Sequence, residues 1–302
     1  MRVHLYNYER GDFMRIDEAI IRSAVDIAER IQASAILLPD SYASEELETC
    51  IPVVVLPKKA SDLVYQTMPS STIKEKTVLQ EHIRKLAVVG YLEGAISGLI
   101  VGVIDAPNFD SIVVYDPRES HAVKSMQECE KIVCSDVFRA VMSLSLEFAL
   151  EGREGRHIGT AFIIGDEKNV LERSHQLLLN PFKGHARHTR LITNKDNWET
   201  IKEFAQLDGV FVVSGEGVMC ASGRYLDVDA RSVTILQGLG GRHAASAAIT
   251  AETDAVAVVV SASGVIRVYQ DREQIIVIEP GEWVGRFYRN ILESDEPSQS
   301  QT

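Results

Sequence analysis

Gly209-Val210-Phe211-Val212-Val213-Ser214-Gly215-Glu216-Gly217-Val218-Met219-Cys220-Ala221 reads as a strand, a turn and a strand. The apolar run over 209–213 has the length and continuity of a strand buried on both faces. Ser214 to Gly217 carries turn chemistry, and the chain returns as a strand over 218–221. Helical and strand-like stretches surround this hairpin. Upstream lie an apolar helix over 136–150, with Asp136 as its N-cap, and a strand over 157–164 stopped by Gly165-Asp166. Helices over 167–178 and 198–205 follow. Downstream, Gly238-Leu239-Gly240-Gly241 precedes an Ala-rich helix over 243–251, then strands over 256–260, 265–269 and 274–278. Helices mixed with hairpins predict a mixed-sheet α/β domain.

The first 117 residues are patterned differently. Ile16, Ala19, Ile20, Ala24, Ile27, Ala28 and Ile31 recur at helical spacing. Short apolar runs over 35–38, 53–56, 99–104 and 111–115 are separated by helical stretches, the second of them over 75–86. That alternation predicts a three-layer α/β domain with a parallel sheet covered on both faces. Asp116-Pro117-Arg118-Glu119-Ser120 is a polar boundary, so the chain divides into domains at 1–117 and 118–290, with a polar, disordered tail over 291–302.

Composition bounds the partners. The 302 residues carry a net charge of -12, with 45% hydrophobic and 25% charged residues, ordinary for a globular chain with a sizeable core. So negative a chain is a poor general binder of nucleic acid or of an anionic membrane. No apolar stretch is long enough to span a bilayer, and Met1 to Arg10 lacks the apolar core of a secretory signal. Cys50, Cys129, Cys134 and Cys220 form no C-x-x-C pair, which suits free thiols in a reducing, cytoplasmic setting and argues against zinc.

Two places suit chemistry. In Leu207-Asp208-Gly209-Val210 an acidic residue opens a buried strand beside a glycine that permits close ligand approach; the pattern also suits a plain turn aspartate. In Gly240-Gly241-Arg242-His243-Ala244-Ala245-Ser246 a glycine-rich loop runs into a helix, offering unpaired N–H groups to an anion. Arg242, His243 and the Ser246 hydroxyl can add donors; a flexible loop with a surface arginine is the plainer reading. The clusters His185 to Arg190 and Arg153 to His157 read as solvated segments, and Trp198 and Trp283 as packing residues.

In order and spacing the second half resembles the diadenylate cyclase domain. Ile158-Gly159-Thr160-Ala161-Phe162 is similar to the domain's opening strand, and Asp208-Gly209-Val210 to its Asp-Gly-Ala motif. Ala221 to Leu226 is similar to the segment reaching an adenine-contacting leucine. Gly240-Gly241-Arg242-His243-Ala244 resembles Gly-Thr-Arg-His-Arg, and Val259-Val260-Ser261-Ala262-Ser263-Gly264 resembles Val-Ser-Glu-Glu-Thr-Gly. Ala244 replaces the second arginine, and Ala262 and Ser263 replace the turn glutamate. The first half resembles the C-terminal domain of pyruvate kinase, through Ala24 to Ala28 and Asp110 to Val114, as in the archaeal type of cyclase.

The resemblance implies condensation of two ATP into cyclic di-AMP with loss of two pyrophosphates, or, if the departures mark lost chemistry, an ATP-binding sensor. It implies Asp208, Arg242 and His243 as catalytic residues. Asp208, Gly209, Leu226, Gly240, Gly241, Arg242, His243, Ala244, Ser246 and Ser261 are the implied nucleotide-binding residues. It implies Mn²⁺, with Mg²⁺ second, held by Asp208 and His243. Two ATP molecules reacting with each other imply a homo-oligomer with cyclase domains face to face.

Overall fold

A computed structural model describes residues 16–39, 42, 48–56, 88, 91–92, 98–106, 109–151, 158–232 and 239–279. The expected helix over 75–86, the segment Arg153 to His157, Trp283, the N-terminal decapeptide and the tail lie outside the described residues. The chain forms two compact units: Met1–Ile83 with Ala95–Pro117, and Arg84–Gly94 with Arg118–Thr302. Residues 84–94 therefore group with the second unit, although they precede the polar boundary.

In the first unit helix α1 (Ile16–Arg30) precedes strands β1 (Ala35–Pro39), β2 (Val53–Leu56), β3 (Ile100–Ala106) and β4 (Phe109–Tyr115). The sheet order is β2-β1-β3-β4. β1 pairs in parallel with β2 and β3, but β3 and β4 are antiparallel, with Ile100 opposite Tyr115. The expected all-parallel sheet is thus corrected at one edge. Two residues separate β3 from β4, and a parallel return needs a crossover of about a dozen. Ile21, Ala24 and Ala28 of α1 are buried with Ile36, Leu38, Val101 and Val103 of the sheet, the use the 3.6-residue spacing foretells.

In the second unit helices α2 (His121–Ile132) and α3 (Ser135–Glu151) are followed by β5 (Thr160–Ile164), α4 (Glu167–Glu172), β6 (Ser174–Gln176) and α5 (Trp198–Phe204). Then come β7 (Val210–Val213), β8 (Met219–Leu226), α6 (Gly241–Glu252), β9 (Val256–Val260), β10 (Ile266–Gln270) and β11 (Glu273–Ile278). The seven strands run β11-β10-β9-β5-β7-β8-β6. β5 and β7 are parallel; every other neighbouring pair is antiparallel, which makes the sheet mixed. α2 and α3 pack against strands β9 to β11, and α6 packs against β5, β8, β9 and β10. Phe162 stacks on Phe211 at 4.9 Å and meets Phe148 of α3 at 6.2 Å. On the other face Ala247 and Ala248 of α6 bury Ala161, Val259, Val212 and Tyr269. Alanines let the helix approach the sheet closely.

Several element boundaries differ from the periodicity reading: β8 runs on to Leu226 rather than 221, and α6 begins at Gly241 rather than 243. Asp136 lies inside the first turn of α3, which begins at Ser135. Its charge there still complements the helix dipole. The helix expected over 167–178 stops at Glu172, because Ser174, His175 and Gln176 pair with Leu226, Tyr225 and Arg224. Sheet pairing overrides helical periodicity there. β5 opens at Thr160 rather than 157. Among the described residues no helix is long and apolar enough to cross a membrane.

Candidate functional site

Strand direction gathers the site. β5 and β7 are parallel, so Gly159 and Asp208, which precede them, lie at the same sheet edge. β9 runs the other way, with Val260 opposite Thr160, so the turn after β9 reaches that edge too. The end of β8 arrives there as well, with Arg224 opposite Val210. α6 returns to β9 through a short connection, which places its N-terminus, Gly240 to His243, over the same edge.

The contacts confirm the convergence. Arg242 donates through Nη1 to the Gly159 carbonyl at 2.6 Å. A Cβ built on Gly159 would lie 3.0 Å from that Nη1, 3.4 Å from the Ala262 nitrogen and 3.5 Å from the Val260 carbonyl. Burial lowers the Arg242 pKa, while the nearby Asp208 carboxylate draws it back up. Asp208 and Arg242 are therefore within electrostatic reach, and Asp208 is exposed to solvent. Among the described residues nothing lies within 4 Å of a Cβ placed on Gly240 or Gly241, and both glycines are exposed. The positive end of the helix is thus exposed, as anion binding requires.

Gly209 sets the approach to Asp208. Its φ is +104°, and a Cβ there would sit 2.5 Å from the Arg224 carbonyl and 2.7 Å from the Arg224 nitrogen. The register of β7 on β8 shifts between Val210 and Val212. This is a bulge on β8 with Gly223 at φ +69°, the left-handed residue of such bulges. Arg224 cannot yield, since its guanidinium is bonded to Ser174 Oγ at 3.0 Å, to the Leu171 carbonyl at 2.7 Å and to the Ser174 carbonyl.

The remaining sequence candidates separate into two groups. Ser261 belongs to the turn beside Gly159: its hydroxyl meets Ser263 Oγ at 2.8 Å and accepts from the Val265 nitrogen at 3.1 Å. His243, Ala244, Ser246 and Leu226 point inward, with exposures of 5%, 8%, 0% and 4%. His243 Nδ1 lies 3.1 Å from the Tyr269 hydroxyl. Burial, then the charges of Arg267 and Arg242, push its pKa down to about 4, so the ring is neutral at pH 7 and keeps a single N–H to donate. Leu226 packs with Val210, Ala221 and Ala247 in the core. Among the described residues no three His, Cys, Asp or Glu side chains group as a metal site. Gly159 and Tyr269 were missed as site residues: a backbone acceptor has no sequence signature, and Tyr269 reads as an ordinary strand aromatic.

Residues 147–274 match the family model described as "DisA bacterial checkpoint controller nucleotide-binding". Residues 19–118 match "Probable sensor domain DacZ_A", so the N-terminal match is to a sensor domain; the pyruvate kinase likeness rests only on the short stretches quoted for it. A protein named diadenylate cyclase from Methanocaldococcus jannaschii is 36% identical over 191 residues, 60% of this chain and 60% of the relative. One of the same name from Haloferax volcanii is 39% identical over 146 residues, 48% of this chain and 53% of the relative. The alignments thus span less than two thirds of either relative's length. Among solved structures, a hypothetical membrane spanning protein from Bacillus cereus superposes with a TM-score of 0.38 at 15% identity, over 53% of this chain and 72% of its own. A double mutant of DacA from Staphylococcus aureus gives 0.29 at 19%, over 57% of this chain and 95% of its own.

Proposed function

We propose that this chain is a diadenylate cyclase, joining two ATP molecules into cyclic di-AMP and releasing two pyrophosphates. The observation that carries the reading is the single sheet edge where an exposed carboxylate, a half-buried arginine and an open helix N-terminus converge. The family model over residues 147–274 and the names of the two relatives support it.

In this reading each ribose 3′-oxygen forms a bond to the α-phosphorus of the other ATP, and the bond to pyrophosphate breaks. The carboxylate of Asp208 faces the hydroxyl and takes up its proton, a positioned general base. Arg242, fixed on the Gly159 carbonyl, and the first-turn N–H groups of α6 hold the phosphates and offset their charge. His243 acts indirectly, locking the first turn of α6 onto Tyr269. A divalent ion fits the donor set only in the mode that combines one carboxylate, Asp208, with phosphate oxygens of the nucleotide. Mn²⁺ or Mg²⁺ bound there would neutralise phosphate charge and make the hydroxyl more acidic.

One such edge accommodates one ATP, so the reaction requires two copies face to face. We place the protein in the cytoplasm, with its substrate, and read the N-terminal unit as regulatory. Incubation of the purified chain with ATP and Mn²⁺, followed by mass spectrometry, tests the activity. Cyclic di-AMP is the expected product; ATP binding without turnover would leave a nucleotide sensor instead.

A further inference from the structure

A triphosphate brings several negative charges to the start of α6, yet the helix answers with one cation. Arg242 is the one Lys or Arg of α6, while His243 is turned inward onto Tyr269 and Ala244 is buried. The sheet offers a further cation. Arg267 is the second residue of β10, at the same sheet edge, since Ile266 stands opposite Val260. In register it lies between Val259 and Val277. Val259 belongs to the core beneath α6, as does Tyr269, two residues along β10 on the same face. Arg267 therefore presents to the α6 side of the sheet, next to the tyrosine that touches His243 at 3.1 Å. Its charge is felt there: it adds to burial in holding the His243 pKa down and offsets part of the rise that burial imposes on Tyr269.

Arg267 also has an unmet need. Its Nε is buried without a hydrogen-bond partner, and among the described residues no carboxylate forms an ion pair with it. A buried guanidinium N–H left unpaired is costly, and an anion is the partner whose arrival would remove that cost. Position separates its role from that of Arg242. Arg242 is tied to Gly159 at β5, whereas Arg267 is on β10, two strand spacings or about 10 Å away. A polyphosphate that starts at Asp208 and Arg242 and crosses β9 would end at Arg267.

We propose that Arg267 is the second arginine of the site, binding the distal phosphates of ATP, the part that leaves as pyrophosphate. The proposal rests on the reading of this edge as an ATP site. A planar guanidinium suits that task, forming paired bonds to phosphate oxygens.

The test measures binding rather than turnover. Arg267→Gln, and Arg267→Met, which keeps an apolar stem between Val259 and Val277, are titrated calorimetrically with α,β-methylene ATP and with AMP. The expected result is an affinity loss of about tenfold or more for the ATP analogue, with AMP binding changed by less than about twofold. In the parent protein, the analogue but not AMP should shield Arg267 from phenylglyoxal, mapped by mass spectrometry. This second measurement decides the matter if neither variant folds. Unchanged analogue affinity in a folded variant, equal losses for both ligands, or modification of Arg267 unaffected by the analogue overturns the proposal. A parent that binds the analogue yet makes no cyclic di-AMP overturns the cyclase reading alone. A parent that binds neither ligand overturns both.

Discussion

Asp208 is the exposed carboxylate at the convergent edge, and its place before a strand rather than within the core separates chemistry from stability. Asn at this position keeps the size and one acceptor but loses charge and basicity. We expect Asp208→Asn to melt within a few degrees of the parent and to bind ATP within about tenfold, while turnover falls roughly 10²–10⁴-fold. Single-turnover assays at saturating ATP and Mn²⁺ read this, and a mutant retaining more than about a third of the parent rate removes Asp208 from the mechanism. His243 makes the opposite kind of prediction, one about stability. Its pKa drops from the usual 6.5 to about 4 in the fold, so the unfolded chain binds the extra proton first on acidification. The stability this ring contributes is complete above about pH 6.5, declines as the pH falls towards 4, and changes no further below that. Urea midpoints at pH 7 and pH 4.5 should differ less for His243→Asn than for the parent; an equal difference would show that the ring does not titrate in this window.

At the scale of elements, the β7–β8 pair aims the site, and Gly209 is its tightest point. A methyl group there would meet backbone atoms of Arg224 at 2.5 and 2.7 Å, and those atoms are pinned by the arginine's own bonds to β6 and α4. Gly209→Ala should therefore cost about 1–3 kcal/mol and lower turnover by displacing Asp208; a melting curve unchanged from the parent would mean that the bulge adjusts freely. The elements also show what was legible. Apolar runs read over 53–56, 209–213 and 256–260 form strands Val53–Leu56, Val210–Val213 and Val256–Val260, because buried strands announce themselves by continuity. Ser174-His175-Gln176 carries no such mark and becomes a strand only because β8 offers it an open edge. The same holds for the site. Asp208 and Arg242 stand in local patterns that can be read from sequence. The Gly159 carbonyl, Tyr269 and Arg267 are brought to them by strand register, which no local window contains.

For the whole molecule, the face-to-face reading makes activity a property of the pair. Specific activity should fall as the protein is diluted below its dimerisation constant, read by product formation beside sedimentation or light scattering. A demonstrably monomeric sample that cyclises ATP at the undiminished rate per subunit would overturn the paired mechanism. The net charge of -12 adds a dependence on salt, since two acidic copies repel and screening eases their approach.

The order of the seven-stranded sheet also sets a timetable. β5 has β9 and β7 as its neighbours, and Ala161 meets Val259 only after about a hundred further residues have been made, roughly 5–20 s of ribosomal synthesis. Throughout that interval the apolar segment Ala161 to Ile164 has no partner on its β9 side. The nascent chain is thus most vulnerable to aggregation until Val256 to Val260 emerge, and the nucleotide edge, which needs β5 and β9 together, is completed only then.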